Sequence, residues 1–462
     1  MFMKIKFSMD QLIALAKQRG FIYPGSEIYG GLANSWDYGP LGALLKNNVK
    51  KEWFRRFVQT RRDMVLIDAA LIMNPRVWEA SGHVGHFSDP LVEDKVTHER
   101  FRLDSLLEEN GINVKGKSFE DMVTLVNAHA LKSPQGNPLT EPRVFNLMLK
   151  TFLGAAEDAV ATAYLRPETA QAMFVDFKAV LGSSRKKIPF GIAQIGKAFR
   201  NEITPGNFIF RTREFEQMEI EYFIHPSDWE QKFEYWLDAM KRWIREDLSL
   251  PSEMVHYHEI PEGERAHYSK RTVDIEFDFP FGQKELYGIA YRGDYDLANH
   301  IKFSGEDLSY FDQATGEKYI PHVIEPTFGV DRTILALLSA HMDIEPVPGG
   351  EGEDSTRIVF RIPPRLAPYQ VALLPLAKKT ELQLIASEIE NLIAGEWSVE
   401  YDETQSIGKR YRRQDEIGTP FCITIDFKSI EDRMVTIRER DSMQQERVTI
   451  HQIPDWLRSH LI

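Results

Sequence analysis

The chain has 462 residues, 43% of them hydrophobic, and a formal net charge of -13 at pH 7. That length predicts two or three domains. The apolar runs are all shorter than a membrane span, the MFMKIKF start lacks the apolar core of a secretion signal, and the negative balance excludes a nucleic-acid coat over the whole surface while allowing a local basic patch. One cysteine, Cys422, excludes internal disulfides and any multi-cysteine zinc site, which suits a reducing, cytoplasmic setting.

In chain order, the first clear element is GALLKNNVKKEWFRRFVQT, where Leu45, Val49, Trp53 and Phe57 recur every four residues behind the start signal Gly39-Pro40. This predicts a long amphipathic helix. It leads into MVLIDAALIMNP, a strand-like run stopped by Pro75. The pair suits either a core or a subunit-interface element, and pattern alone does not separate the two. Next, SGHVGHF offers His83 and His86, either a metal pair lacking an identifiable third ligand or a structural or substrate-shaping loop. Residues 88–160 are more polar, with the helix-forming FRLDSLLEEN and the turn-rich KSPQGNPLTEPR, and read as an insertion.

Beyond Arg185, GIAQIGKAFRNE and NFIFRTREFEQMEIEYF read as two strands joined by a short TPGN loop. A helix is predicted over SDWEQKFEYWLDAMKRWIRE, then strands at 272–279 and 284–291. EPTFGVDRTILALLSA reads as a turn entering an apolar helix. The run EPVPGGEGEDST is too rich in Gly, Pro and acid to pack. The expected division is therefore a domain over 1–345, a linker over 346–364 and a second domain over 365–462. In that last part YQVALLPL, TELQLIASEIENLI, PFCITIDF and MVTIRER predict a small α/β unit. Cys422, inside PFCITIDF, is expected to be a buried structural thiol.

The hairpin carries the most chemistry. Alternate strand residues share a face, which groups Arg200 with Glu202, and Arg211, Arg213, Phe215, Gln217 and Glu219 with one another. Phe210, Met218, Ile220 and Tyr222 are left for a buried layer. A ring among cations and carboxylates can stack on a base while arginine forks hold phosphates. A solvated sheet face laced with ion pairs has the same composition. No GxxxxGK[ST] loop occurs and no GxGxxG follows a strand, so a nucleotide site here must rest on side chains.

Phe199-Arg200-Asn201-Glu202, Gly329-Val330-Asp331-Arg332 and the helix and strand ending at Pro75 resemble motifs 2, 3 and 1 of the class II aminoacyl-tRNA synthetases. The runs WEASGH, YLRPETAQ, FRTREFEQME, EPTFGVDR, PRLAPYQVALLPL and IGKRYRRQDEIGTPFC narrow the resemblance to the homodimeric glycyl-tRNA synthetases, and they span most of the chain.

That resemblance implies an α+β fold, with a six-stranded antiparallel sheet flanked by helices and a C-terminal α/β anticodon-binding domain. It implies a homodimer that attaches glycine to tRNA(Gly) through glycyl-adenylate, using ATP and Mg2+. The family's ATP contacts map to Arg200, Asn201 and Glu202, to Phe210, Arg211, Thr212, Arg213, Glu214 and Phe215, to Glu285 and Leu286, and to Gly329, Val330, Asp331 and Arg332. Among these, Arg200 would meet the α-phosphate, Glu202 the adenine amino group and Phe215 the ring, with Arg332 stacked opposite and reaching the γ-phosphate. Glu285 would accompany the magnesium, and with Arg200 and Arg332 would carry catalysis.

For glycine, Glu168, Glu219 and Glu325 would form an acidic cup, with Arg102 and the runs Phe215-Glu216-Gln217-Met218 and Pro326-Thr327-Phe328-Gly329 around it. An amino acid without a side chain offers only its charges, so larger ones must be rejected by clash. Thr327 stands where the family usually carries Ser, which bears on how alanine is refused. In an anticodon-binding module, Lys409, Arg410, Arg412 and Arg413 around Tyr411 would contact RNA, the alternative being a solvated face. Two other functions remain open: a non-catalytic accessory subunit of the same fold, and an enzyme of the class for another small amino acid.

Overall fold

The computed structural model describes residues 7–114, 116–154, 161–266, 268–346 and 356–461. The first six residues and most of EPVPGGEGEDST therefore lie outside the described residues. The main sheet contains β1 (Met64–Ile67), β2 (Phe190–Phe199), β3 (Glu214–Ile224), β4 (Val255–Glu259), β5 (Arg271–Phe279), β6 (Gly282–Gly293) and β7 (His322–Gly329). Their order is β4-β5-β6-β7-β3-β2-β1. The six strands from β4 to β2 are antiparallel, as expected for the class, and β1 adds a seventh at the edge, parallel to β2.

Period-two patterning sets the faces. On β3, Met218, Ile220 and Tyr222 turn into the main core, together with Val273, Ile275, Phe277 and Phe279 of β5. The predicted amphipathic helix covers that face: α1 spans Pro40–Phe54 and runs on as a π turn over Arg55–Gln59. Leu45, Val49, Trp53 and Phe57 are all fully buried, with the Phe57 ring 5.1 Å from Phe328 on β7. The apolar stripe is thus part of the chain's own core. Truncating Trp53 would cost about 3–5 kcal/mol.

Several expected boundaries move. The strand before Pro75 ends at Ile67, and Pro75 instead opens a helix, Pro75–Ala80, behind the Asn74 cap. Proline suits that first position because the missing N–H would be unpaired there anyway. EPTFG is the end of β7, which enters α5 (Val330–His341) with no intervening turn. The insertion forms a three-stranded sheet, Ser88–Glu93, Arg100–Arg102 and Arg143–Asn146. Its helices Leu103–Glu109 and Phe119–Ala128 share a small core with it.

The stretch 346–364 contains packed structure. Thr356–Phe360 pairs with Met342–Pro346, and Phe360 and Ile362 are buried in the main core. Alternating apolar residues in TRIVFRI account for this. The C-terminal unit has a sheet of β8 (Val371–Pro375), β9 (Val399–Tyr401), β10 (Phe421–Ile425), β11 (Met434–Glu439) and β12 (Gln445–Thr449), ordered β9-β8-β10-β11-β12. The helices α6 (Thr380–Ile393) and α7 (Ile407–Ile417) link β8, β9 and β10, which are parallel. Cys422 is buried there, and burial pushes its thiol up. Among the described residues, no helix is long and apolar enough to cross a membrane.

Candidate active site

The open face of the main sheet holds the site. Its odd-numbered β3 residues Phe215, Gln217 and Glu219 lie beside β2 on one flank, and Gln217 and Glu219 lie beside β7 on the other. Gln217 is flanked by Gly196 and Gly329. At Gly196 a Cβ would lie 2.1 Å from Arg166 Nη2. The bare backbone lets the Arg166 guanidinium cross the sheet and donate to the carbonyls of Lys197 at 2.7 Å and Ala69 at 3.0 Å. This anchors the Arg166-Pro167-Glu168-Thr169 segment above the strands.

An outer cavity of about 350 Å³ is lined by Arg200, Glu202, Phe210, Arg211, Thr212, Phe215, Glu285, Leu286, Gly329 and Arg332, among others. Arg332 pairs with Glu285 at 3.0 Å and lies 4.4 Å over the Phe210 ring. Arg200 donates to the Pro167 carbonyl at 3.1 Å, and its guanidinium stands 5.3 Å from the rings of both Phe87 and Phe215. One carboxylate oxygen of Glu202 is buried without a hydrogen-bond partner, so an incoming N–H donor would satisfy it. The Glu285 carboxylate, 48% exposed, is held below its usual range by the Arg332 charge. Nearby Asp274 is pushed up to about 7 by burial and by the charges of Glu285 and Glu276.

An inner pocket of about 330 Å³ shares Arg200, Gln217, Glu285, Gly288 and Thr327 with the outer one, and is floored by Glu168, Glu219 and Glu325. The three glutamates come from separate elements. Glu219 accepts from the Thr169 hydroxyl and from Thr327 Oγ1 at 2.9 Å. Glu325 accepts from Arg292 at 2.6 Å, and Arg292 also grips Asp296 through two bonds. Glu168 accepts from Gln171 at 3.0 Å and faces His83 at 3.3 Å. Burial pushes the Glu168 carboxyl up, but His83, Arg292 and Gln171 outweigh it and hold it low. Glu219 and Glu325 are raised, by burial first and then by neighbouring acids.

The hairpin differs from the sequence reading. Its strands end at Phe199 and begin again at Glu214, so Arg200, Asn201, Glu202, Arg211 and Arg213 sit on a fourteen-residue loop rather than on strand faces. The loop is not a TPGN turn because FIF is apolar enough to be buried on its own. Phe208, Ile209 and Phe210 join the main core, Trp36 meets Phe208 edge-on at 4.7 Å, and Asn34 donates to the Arg211 carbonyl at 2.5 Å.

Several residues expected to contact ligand face elsewhere. Met218, Phe328 and Val330 are fully buried in the core, because strand alternation and the first helical turn direct them there. Pro326 is likewise buried and lines neither cavity. Glu216 and Asp331 border the outer cavity, but Glu216 pairs with Lys46 and Lys50, each at 3.0 Å, and its N–H donates to Asp331 at 2.8 Å. Asp331 also accepts from Lys46 and Tyr38, so this carboxylate pins α5 to α1. Arg213 and Glu214 line a separate cavity of about 650 Å³ behind the loop. Asn201 donates its N–H to the Leu147 carbonyl. Arg102 pairs with Asp89 and Asp104 and lines the outer cavity near Glu202, away from the acidic floor. His83 belongs to the floor as a partner of Glu168, with Ser81 on its other nitrogen.

The basic run on α7 is largely internal. Arg410 is 2% exposed and donates to the Pro375 carbonyl at 2.6 Å and the Asp402 carbonyl at 3.1 Å. Tyr411 bonds Thr424, with Arg438 4.8 Å over its ring, and Arg413 pairs with Asp402. Lys409 is exposed and Arg412 half-buried. A helical period of 3.6 turns residues 410, 413 and 414 to one side, and here that side faces the sheet.

Sequence reasoning missed Arg292, Asp296, Asp274 and Glu221, and it singled out His83 without its partner Glu168. Glu221 alone had a signal, since it continues the alternation of Phe215, Gln217 and Glu219.

Residues 155–341 match the tRNA synthetase class II core domain (G, H, P, S and T), and residues 370–460 match the anticodon binding domain. Glycine–tRNA ligase of Acetivibrio thermocellus is 53% identical over 459 residues, covering 98% of each chain. That of Caldanaerobacter subterraneus is 52% identical over 467 residues, covering 99% of this chain and all of the relative. The one from Bifidobacterium longum is 51% identical over 461 residues, 98% of this chain and 93% of the relative. Among solved structures, prolyl-tRNA synthetase from Cryptosporidium parvum, complexed with L-proline and AMP, superposes with a TM-score of 0.63 at 15% identity. It covers 99% of this chain and 76% of that one, a likeness of fold.

Proposed function

Because this chain belongs to the class II aminoacyl-tRNA synthetases, and within them to the glycine–tRNA ligases, we infer that its inner pocket seats glycine and its outer cavity ATP. The chain joins glycine to tRNA at the expense of ATP, through glycyl-adenylate. One observation carries the assignment of the site: three buried glutamates from separate elements floor a small pocket that shares Arg200 with a nucleotide-sized cavity.

In this arrangement the glycine ammonium meets Glu219, Glu168 and Glu325, and its carboxylate points toward Arg200. Adenine enters beside Phe215 and donates its amino group to the orphaned oxygen of Glu202. A glycine carboxylate oxygen attacks the α-phosphorus while the bond to pyrophosphate breaks. Arg200 and Arg332 neutralise the charge that develops, and no protein nucleophile takes part. Magnesium would be held by Glu285 and Asp274, whose hard oxygen donors suit it, and would neutralise phosphate charge when bound.

The tRNA docks on the C-terminal unit at the carboxyl ends of β8 and β10. The chain leaves β8 toward β9 and later crosses to β10 on the other side, a topological switch that opens a crevice at those strand ends. Phe427 there is 45% exposed with Lys379 5.0 Å over its ring, and Lys378 and Lys428 are exposed beside it. The protein works as a homodimer joined through β1 and the segment after it, where Leu66, Leu71 and Ile72 are exposed; light scattering at the monomer mass would overturn this. A cytoplasmic setting accords with the lone, buried Cys422.

The decisive assay is amino-acid-dependent exchange of labelled pyrophosphate into ATP. Glycine alone should support it. Exchange with another small amino acid, or none at all, would refute the assignment.

A further inference from the structure

Glu221 lies two residues beyond Glu219 on the same face of β3, fully buried, and neither of its carboxylate oxygens has a hydrogen-bond partner. One oxygen from each of Glu219, Glu221 and Glu325 falls within 4.8 Å of the others. A carboxylate left charged in such a place, with no hydrogen bond, would cost several kcal/mol. The guanidinium whose charge acts on Glu221, that of Arg292 from β6, is already bound to Glu325 and to Asp296 of α4 (Tyr295–Ser304). Burial, with the charge of Glu325, favours the uncharged carboxyl at Glu221. An uncharged carboxyl has one O–H to donate, and an oxygen of each cup carboxylate lies within 4.8 Å to accept it once the side chains close in.

We propose that Glu221 is a positioning residue for amino-acid activation, donating its carboxyl hydrogen to the Glu219–Glu325 pair and holding both acids beneath the substrate amine. It touches neither substrate. Its role rests on the inner pocket being the glycine site. Without the donated hydrogen, the two cup carboxylates repel each other at the floor and the ammonium meets a splayed pair. A hydrogen bond to a charged acceptor sets the scale: its loss should raise the glycine KM about tenfold or more.

The test measures pyrophosphate exchange and thermal melting for the full chain and for Glu221→Gln, Glu221→Met and Glu219→Gln. A carboxamide can still donate, so Glu221→Gln should keep the glycine KM within about threefold, whereas Glu221→Met should raise it without moving the ATP KM. Difference infrared spectroscopy should find a protonated-carboxylic-acid band in the unaltered chain that Glu221→Gln lacks. The proposal is overturned if Glu221→Met leaves the glycine KM unchanged, if the Gln variant is as impaired as the Met variant, if the glycine and ATP KM rise together, or if the band is missing. Should Glu219→Gln also leave the glycine KM unchanged, the placement of the glycine site itself fails; an effect at Glu219 without one at Glu221 sinks only the present proposal.

Discussion

At the scale of single residues, similar side chains take opposite roles according to what surrounds them. Arg200 and Arg410 both stand in charge-rich runs. Arg200 opens onto a cavity and shares only one backbone acceptor, while Arg410 is sealed against carbonyls. Arg200→Ala should lower glycine-dependent exchange by about a hundredfold or more, the scale of losing one preorganised charge at a reacting centre, with an unchanged melting temperature. A melting shift accompanied by normal exchange would reverse that assignment. Arg410→Ala should instead destabilise the C-terminal unit by about 2 kcal/mol, since two carbonyls lose a charged donor, and leave exchange intact. Urea unfolding of the variant measures this. The sequence showed that these arginines were unusual in number. It did not show which were enclosed, because enclosure depends on strands far away in the chain.

At the scale of elements, amphipathic periodicity located helices well, and loops with their own apolar residues poorly. Helix α1 was legible because Leu45, Val49, Trp53 and Phe57 recur every four residues. It also contains Gly42, where alanine should gain nearly 1 kcal/mol of helix propensity. A Cβ there would lie 1.9 Å from the Phe21 carbonyl oxygen, so we expect Gly42→Ala to lose about 2 kcal/mol instead, as read by denaturant titration. At the other end of the fold, His341 closes α5 and donates from Nε2 to the Leu248 carbonyl at 2.8 Å. Burial lowers it to about 4. An unfolded histidine takes a proton near 6.5, so between those values the unfolded chain binds more protons, and stability falls as pH drops through that window. His341→Gln should reduce the loss of stability between pH 7 and pH 4.5 by about 2 kcal/mol. Equal losses in both proteins would exclude His341 as the source.

At the scale of the whole molecule, the proposed function puts activation on the main sheet and tRNA capture on the C-terminal unit. Phe427→Ala should therefore raise the tRNA KM about tenfold, the scale of one base stacked on a ring, with glycine-dependent exchange unchanged. A fall in exchange would place Phe427 in the fold's support instead. Composition predicts a division between 1–345 and 365–462 with a linker between them, yet Phe360 and Ile362 of that expected linker are buried in the main core. By itself the sequence determined the family and the main strands and helices, and it singled out Glu168, Glu219 and Glu325, because periodicity and ordered motifs are local properties of a chain. Only the tertiary structure decided that Glu216 pairs with lysines, that Arg292 bonds Glu325 and His83 faces Glu168, that Arg410 is internal, and that Glu221 is buried with no hydrogen-bond partner. Burial and charge pairing are set by residues far apart in sequence, and no local pattern records which of them will meet.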